Sequence, residues 1–311
     1  MPFYHKIKEI PFFENTIVTI GTFDGIHLGH QEIIRKLLEI SKQHKARHLL
    51  ITFDPHPLTV LTNNQKPVLL ITTNQEKKSL FLKYHIENVL FLPFNRKLAK
   101  KSASDFIQTV LKHIGLNGLL VGFNHTLGRD RSGTIETLNG IGERFDFFVQ
   151  SIPPVQMDRQ NVSSTGIRQI ILSGDVKRAN QWLGRPYSLQ GNVISGKRVG
   201  RDLGFPTANL EIPKEKLIPR DGVYAVLIHY ASRIFAGLAN IGQAPTIPGK
   251  TYGIEIYIDN FKENIYNKQL EIKFIKHLRD EMKFISSEML VQQIKKDLKE
   301  ARVTLAPYVR R

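Results

Sequence analysis

The apolar residues of this chain change their rhythm near residue 185, and that change limits what each half can fold into. In the first half, short apolar runs alternate with stretches of helical spacing. Residues 16–21 (TIVTIG) form an apolar run closing on glycine, the pattern of a strand entering a turn. Residues 31–41 carry Ile33, Ile34, Leu37 and Leu38 at steps that line one helix face. Further strands are expected at 48–53, 89–92, 119–121 and 145–149, and 168–183 reads as a helical segment. Strand–helix alternation predicts a parallel sheet covered on both faces. From Tyr187 onward the runs are short, alternating and punctuated by glycine and proline: LQGNVIS, GVYAVLIHY, RIFAGLANIG, YGIEIYID and LEIKFIKHL. That pattern predicts an antiparallel barrel. An amphipathic helix over 286–302, with Met289, Ile294 and Leu298 among its apolar positions, closes it. The expected fold class is α/β plus all-β, in two domains, 1–184 and 185–311.

Composition narrows the chemistry. The chain has no cysteine, which excludes disulfides, thiolate metal sites and cysteine nucleophiles. No apolar run approaches the ~18–20 residues that span a bilayer. The opening MPFYHKIKEIPFFE lacks the apolar core of a secretory signal, so the expected location is the cytoplasm and no membrane partner is expected. The net charge of +16 attracts anions. It is spread over both halves without a basic tail, which favours phosphorylated small molecules over nucleic acid as partners. The oligomeric state stays open.

Residues 21–30 read GTFDGIHLGH, between an expected strand and an expected helix. Glycine (Gly21, Gly29) lets backbone approach a phosphate without a Cβ in the way. A helix start offers unpaired N–H groups to an anion. His27 and His30 are three apart and share a helical face, where two imidazoles can donate to phosphate oxygens as charge builds. A metal reading of the pair needs a third ligand that the sequence does not nominate. FDPHP at 53–57 makes a rigid strand exit, since proline fixes φ. In SSTGIR (163–168), Ser or Thr caps a helix start and Arg168, one turn in, offers a planar fork of donors to phosphate. In the second half, GKRVGRDLGFPTANL (196–210) sets Thr207 and Asn209 two apart, facing the same way on a strand. In YGIEIYID, alternation puts Ile254, Ile256 and Ile258 on one face and Glu255 with Tyr257 on the other.

The HxGH element resembles that of the nucleotidyltransferase superfamily. With FDPHP, and with the riboflavin kinase signature around PTAN, the chain resembles the bacterial bifunctional riboflavin kinase/FAD synthetases over nearly its whole length. The resemblance implies a Rossmann-like nucleotidyltransferase domain followed by a small kinase barrel. It implies ATP-side roles for Gly21, Phe23, Asp24 and Gly29, and flavin-side roles for Asp54, Pro55, His56 and Pro57. In VGFNHTLGRDRSGT (121–134), Asn124, Gly128 and Arg131 match the family's loop. His125 stands where an aromatic ring is usual, and Arg129–Asp130 departs from the usual lysine. Ser163, Ser164, Thr165 and Arg168 match the SSTxIR element. On the kinase side Gly196, Lys197 and Gly200 are implied at the phosphates, and Thr207 and Asn209 as oxygen ligands to Mg²⁺ carried with ATP. Glu255 is implied as the general base and Arg279 on the flavin side. Asn267 after Tyr266 and Ala244 depart from the usual glycine and arginine.

The implied chemistry is riboflavin plus ATP to FMN, then attack of the FMN phosphate on the α-phosphorus of ATP to give FAD and pyrophosphate. Mg²⁺ accompanies ATP, and no tightly bound prosthetic group is required. Two other classes stay open at this point. One is a different HxGH nucleotidyltransferase, against which PTAN and FDPHP argue. The other is a flavin- or RNA-binding regulator that keeps the fold, against which the intact Thr207, Asn209, Glu255, His27, His30 and Arg168 argue.

Overall fold

All five residues of TIVTI are buried, so the strand they form must be covered on both faces. A computed structural model, which describes residues 3–62, 68–195, 200, 203–242 and 253–309, shows how. The chain forms two compact units, Met1–Ser164 and Thr165–Arg311. In the first, the strands are β1 (Phe3–Tyr4), β2 (Thr16–Ile20), β3 (Arg47–Asp54), β4 (Val89–Pro93), β5 (Leu116–Gly122) and β6 (Phe148–Ile152). A two-stranded ribbon, β7 (Gln156–Met157) and β8 (Gln160–Asn161), follows. The helices are α1 (Leu28–Gln43), α2 (Pro57–Leu61), α3 (Asn74–Lys83), α4 (Arg96–Ala99), α5 (Ala103–Ile114) and α6 (Ile135–Phe145).

The main sheet runs β1-β4-β3-β2-β5-β6 with every described pair parallel. Side-chain alternation splits its residues between two cores. Val18, Leu49, Ile51 and Leu119 pack with Phe106, Ile107 and Val110 of α5. Ile17, Leu50, Phe91 and Leu120 pack with Ile34 and Leu37 of α1 and Phe81 of α3. The chain leaves β2 for β3 on one side and later places β5 on the other, so the strand order reverses at β2. In parallel sheets ligands collect at the carboxyl ends of the strands where the order reverses.

The run expected as a strand over 145–149 is divided instead. Phe145 ends α6, Asp146 caps it in the left-handed region (φ 56°), and the strand starts at Phe148. Consecutive phenylalanines suit a helix end and a strand alike, and only the cap separates them.

Helix α7 (Ser164–Leu172), within which the second unit begins at Thr165, is followed by α8 (Val176–Leu183). The single helical segment expected over 168–183 breaks at Gly174, whose φ of 87° favours glycine, and Asp175 then caps α8. Six strands close a barrel in the order β10-β13-β12-β11-β14-β9: β9 (Tyr187–Ile194), β10 (Thr207–Glu211), β11 (Gly222–Tyr230), β12 (Arg233–Gly242), β13 (Gly253–Ile258) and β14 (Gln269–Arg279). All described pairs are antiparallel. Helix α9 (Ser287–Val309) lies on the outer face of the wall, where Leu298, Ala301 and Leu305 pack with Val223, Ala225 and Leu238.

The compact units part at Ser164–Thr165, ahead of the boundary expected at Gly184–Arg185, so that α7 and α8 go with the barrel. Helix α8 packs against the barrel. Asn180 donates to the Phe274 carbonyl (2.8 Å) and accepts the Tyr187 N–H (2.7 Å), while Val176, Ala179, Trp182 and Leu183 are buried. A fragment 165–311 should therefore fold more stably than 185–311. Loss of that apolar face, at about 1.5–3 kcal/mol for a large buried side chain, predicts a gap of at least about 3 kcal/mol. Urea unfolding of the two fragments checks it, and equal midpoints would show that α8 adds nothing.

Candidate active sites

At the end of β2 the chain enters a loop with three residues at positive φ: Phe23 (46°), Gly25 (86°) and Ile26 (39°). Such backbone costs about 1–3 kcal/mol at each non-glycine position and needs support. Asp24, fully buried, provides it. Its carboxylate accepts the N–H groups of Ile71 (3.2 Å) and Thr72 (3.0 Å) and the Thr72 hydroxyl, and Thr72 in turn accepts the Gly25 N–H. Asp24 thus shapes the loop from beneath. Phe23 is likewise a core residue whose ring backs that of His30 at 5.0 Å.

The loop delivers the chain to α1. His27 caps this helix, its Nδ1 accepting the His30 N–H at 3.4 Å. A neutral imidazole that accepts through Nδ1 carries its proton on Nε2, so His27 is set as a donor through that atom. The two rings stack at 3.7 Å and 18°. Gly29 makes room for this, since a Cβ there would lie 3.2 Å from the His27 ring. The expected sharing of one face by His27 and His30 is therefore a stacked pair at a helix N-terminus.

Other motifs meet the same sheet edge because their strands flank β2. At the end of β3, Asp54–Pro55 is a cis peptide, and His56 caps α2 with Pro57 in its first turn. FDPHP is the exit of β3 into α2. Asn124 follows β5 and is exposed. Gly128 has φ 78°, and a Cβ there would lie 2.5 Å from the Ala103 backbone nitrogen, so glycine is required sterically. Ser164 donates to the Asp24 carbonyl at 2.8 Å and ties the end of the first unit to the loop. Ser163 precedes it, while Thr165 and Arg168 open the second unit on α7. The Arg131 side chain and residues Gly196, Lys197 and Ala244 lie outside the described residues.

In the barrel, register does what sequence spacing could not. Glu255 on β13 is paired with Asn209 on β10 and with Asn240 on β12. The three side chains stand in a row on one face, because directly opposed residues point the same way. The expected alternation along β13 holds: Ile254, Ile256 and Ile258 are buried and Glu255 and Tyr257 face outward. A cavity of about 130 Å³, open at its mouth, lies between this outer face and α9. Thr207, Asn240, Glu255 and Arg279 line it, with Gly200 at its edge. Thr207 also borders a second cavity, beside Pro206, Ala208 and Tyr266. Asn209 stands in the row without lining the first cavity.

Arg279 ends β14, and its Nε and Nη2 both meet Asp297 Oδ2 of α9 at 2.9 Å. Gln293 donates to the other Asp297 oxygen at 2.7 Å. The guanidinium therefore pins α9 to the wall while lining the cavity. Asp297 was missed from the sequence; its one signal was a carboxylate beside Leu298 on the helix's apolar face. Asn240 opens the NIGQAPT stretch that precedes Glu255, but its pairing with Glu255 had no sequence signal, because strand register is not local. Among the described residues no group of three or more His, Asp or Glu is placed to hold a metal ion.

Residues 9–166 match the family described as FAD synthetase, and residues 183–305 the family described as riboflavin kinase. A bifunctional riboflavin kinase/FMN adenylyltransferase of Buchnera aphidicola is 37% identical over 94% of each chain. One from Listeria monocytogenes is 34% identical over 94% of this chain and 93% of its own. The chain belongs to the bifunctional riboflavin kinase/FMN adenylyltransferase family. The Escherichia coli member is 30% identical over 96% of this chain and 95% of its own. A solved structure described as a macrolide-efflux protein from Streptococcus pneumoniae shares the fold, with a TM-score of 0.86 and 32% identity over 95% of this chain and 96% of its own. Among the described residues here, no helix is long and apolar enough to cross a membrane.

His125 lies in the loop after β5. Its Nε2 is enclosed and has no hydrogen-bond partner among the described residues. Burial pushes the imidazole down from 6.5 to about 4. The folded state therefore prefers the neutral ring, whereas the unfolded chain protonates near 6.5. The stability is fully present above that pH and is lost as pH falls toward 4, by on the order of 3 kcal/mol. Urea titrations of His125→Phe should lack this acid-side loss. An unchanged pH dependence would sink the assignment.

Proposed function

We propose that the chain makes FMN and FAD at two separate sites. Adenylyl transfer takes place on the histidine loop of the first unit, and riboflavin phosphorylation takes place in the cavity beneath α9. The observation that carries this reading is the pair of polar constellations in different units: a stacked His27–His30 pair at a helix start, and Glu255 with Thr207 in one apolar-walled cavity.

At the first site an FMN phosphate oxygen attacks the α-phosphorus of ATP, and the bond to pyrophosphate breaks. No covalent enzyme intermediate forms, so the protein's part is positioning and charge stabilisation. His27, through Nε2–H, and His30 donate to the phosphate oxygens that gain charge. The buttressed loop brings its backbone N–H groups to the phosphates, and Gly29 leaves room for the His27 ring beside them. Asp54 to Pro57, at the neighbouring strand exit, form the flavin side, and Asn124 the ATP side.

At the second site Glu255 takes the proton of the terminal ribityl hydroxyl as that oxygen attacks the γ-phosphorus of ATP, releasing ADP. Thr207 borders both cavities, which suits a residue between acceptor and nucleotide. Its hydroxyl and the Asn209 amide oxygen are hard donors that fit Mg²⁺, and these two residues would hold it. Mg²⁺ would neutralise triphosphate charge. Arg279, held by Asp297, edges the flavin end. The reaction runs in the cytoplasm on small molecules, without nucleic acid or a resident prosthetic group.

The activities should separate by mutation. Glu255→Gln keeps size but cannot take the proton, so riboflavin phosphorylation should fall by about 10²–10⁴-fold. Riboflavin binding should persist, and supplied FMN should still become FAD. His30→Ala should do the reverse, blocking FAD formation while FMN accumulates. Chromatography of riboflavin, ATP and Mg²⁺ incubations reads both, and loss of both activities in either folded variant would refute the two-site assignment.

A further inference from the structure

Lys77 belongs to none of the motifs, yet its side chain is almost fully enclosed, at 2% exposure. Lysine is almost never buried so deeply unless its ammonium has a specific task. From α3 its Nζ donates to the Thr22 carbonyl at 2.8 Å. Thr22 is the residue just before the positive-φ stretch that leads to His27 and His30. The same carbonyl accepts the Thr52 hydroxyl of β3 at 3.0 Å. Two donors from two different elements thus converge on one backbone oxygen.

The surroundings make this a clamp. Residues Ile71 and Thr72 hold the Asp24 carboxylate, and Thr72 holds the Gly25 N–H. Immediately afterwards the Thr73–Glu76 capping box fixes the start of α3, and Lys77 sits in the next position. One short segment therefore grips the loop at Thr22, Asp24 and Gly25. Thr22 lies between Gly21 and the strained Phe23, where the backbone has more than one way to run. A peptide carbonyl turned toward a triphosphate would repel it. A trans peptide points its N–H opposite to its C=O, so anchoring the Thr22 oxygen also fixes the direction of the Phe23 N–H. No acceptor for that N–H is found among the described residues.

We propose that Lys77 is a positioning residue for adenylyl transfer. With Thr52 it holds the Thr22 carbonyl inward, so that the Thr22–Phe23 peptide presents N–H rather than C=O to the phosphates of ATP. The inference rests on the adenylyl site being at the histidine loop, as read above. Lys77 acts through the loop and does not touch the reacting atoms.

The test uses the full-length enzyme, with both activities measured on each variant. Lys77→Met keeps length and apolar bulk but removes the donor. FAD formation from FMN should fall at least tenfold, with a raised KM for ATP, while riboflavin phosphorylation is unchanged. Thr52→Val is close to isosteric and removes the second donor to the same oxygen. It should give a several-fold loss of the same kind, and it carries the test should Lys77→Met not fold. Lys77→Ala leaves a slot that separates packing from hydrogen bonding. Propylamine should restore FAD formation where propanol, of equal size, does not. Normal FAD kinetics in folded Lys77→Met and Thr52→Val, or equal rescue by amine and alcohol, would overturn the proposal. His30→Ala separates the two levels. If it leaves FAD formation intact, the site reading itself fails. If it abolishes FAD formation while the Lys77 and Thr52 variants turn over normally, only the role of Lys77 fails.

Discussion

The buried carboxylate of Asp24 is the interaction on which the first unit's site depends. A loop with Phe23 and Ile26 in the left-handed region has no intrinsic reason to persist; a β-branched residue there is a genuine outlier. Asp24 replaces its lost water with two backbone N–H groups and a hydroxyl from residues 71 and 72. An ionised acceptor with well-placed donors can be buried, whereas an unpaired one cannot. The loop then delivers His27 to the start of α1 in one orientation, and the cap bond to the His30 N–H fixes which ring nitrogen is left to act. The residue for which the resemblance implied an ATP-side role therefore also buttresses the loop from beneath.

The barrel solves its positioning problem with register. A closed sheet holds each strand between two others, so a one-residue slip would turn every side chain to the wrong face. Glu255 is held between Asn209 and Asn240 in this way, with its aliphatic neighbours locked into the interior. The cavity beside it exists because α9 lies on the outer wall and is pinned there by the Arg279–Asp297 pair. At 17% and 6% side-chain exposure, removing one partner would leave the other buried and uncompensated. The same arginine therefore serves the packing of the helix and the shape of the cavity.

Much of this was legible in the chain. The period-two pattern of YGIEIYID placed Glu255 on the face opposite its isoleucines, and the spacing of His27 and His30 placed both on one helical turn. Both readings depend only on neighbours a few residues away. Where the expectations shifted, a local cap had decided the matter. Asp146 ended a helix inside an apolar run, and Gly174 broke a helical stretch in two. FDPHP was readable as a rigid turn because proline restricts its own backbone, and the structure finds that turn at the end of β3.

What the sequence by itself determined is therefore periodic or local: two fold classes, the order of their elements, and side chains that share a face because of their spacing. Tertiary structure alone decided three things. It placed Asn240 beside Glu255, it assigned α8 to the barrel unit, and it brought Ile71, Thr72 and Lys77 beneath a loop some fifty residues earlier in the chain, a span set by hydrogen bonds at separations of 47 to 55. Partners so far apart leave no periodic trace, because their meeting depends on sheet order and on which face each helix covers. A buried lysine in a short helix looks, in one dimension, like any solvated charge; only the packing around it shows that its ammonium points inward.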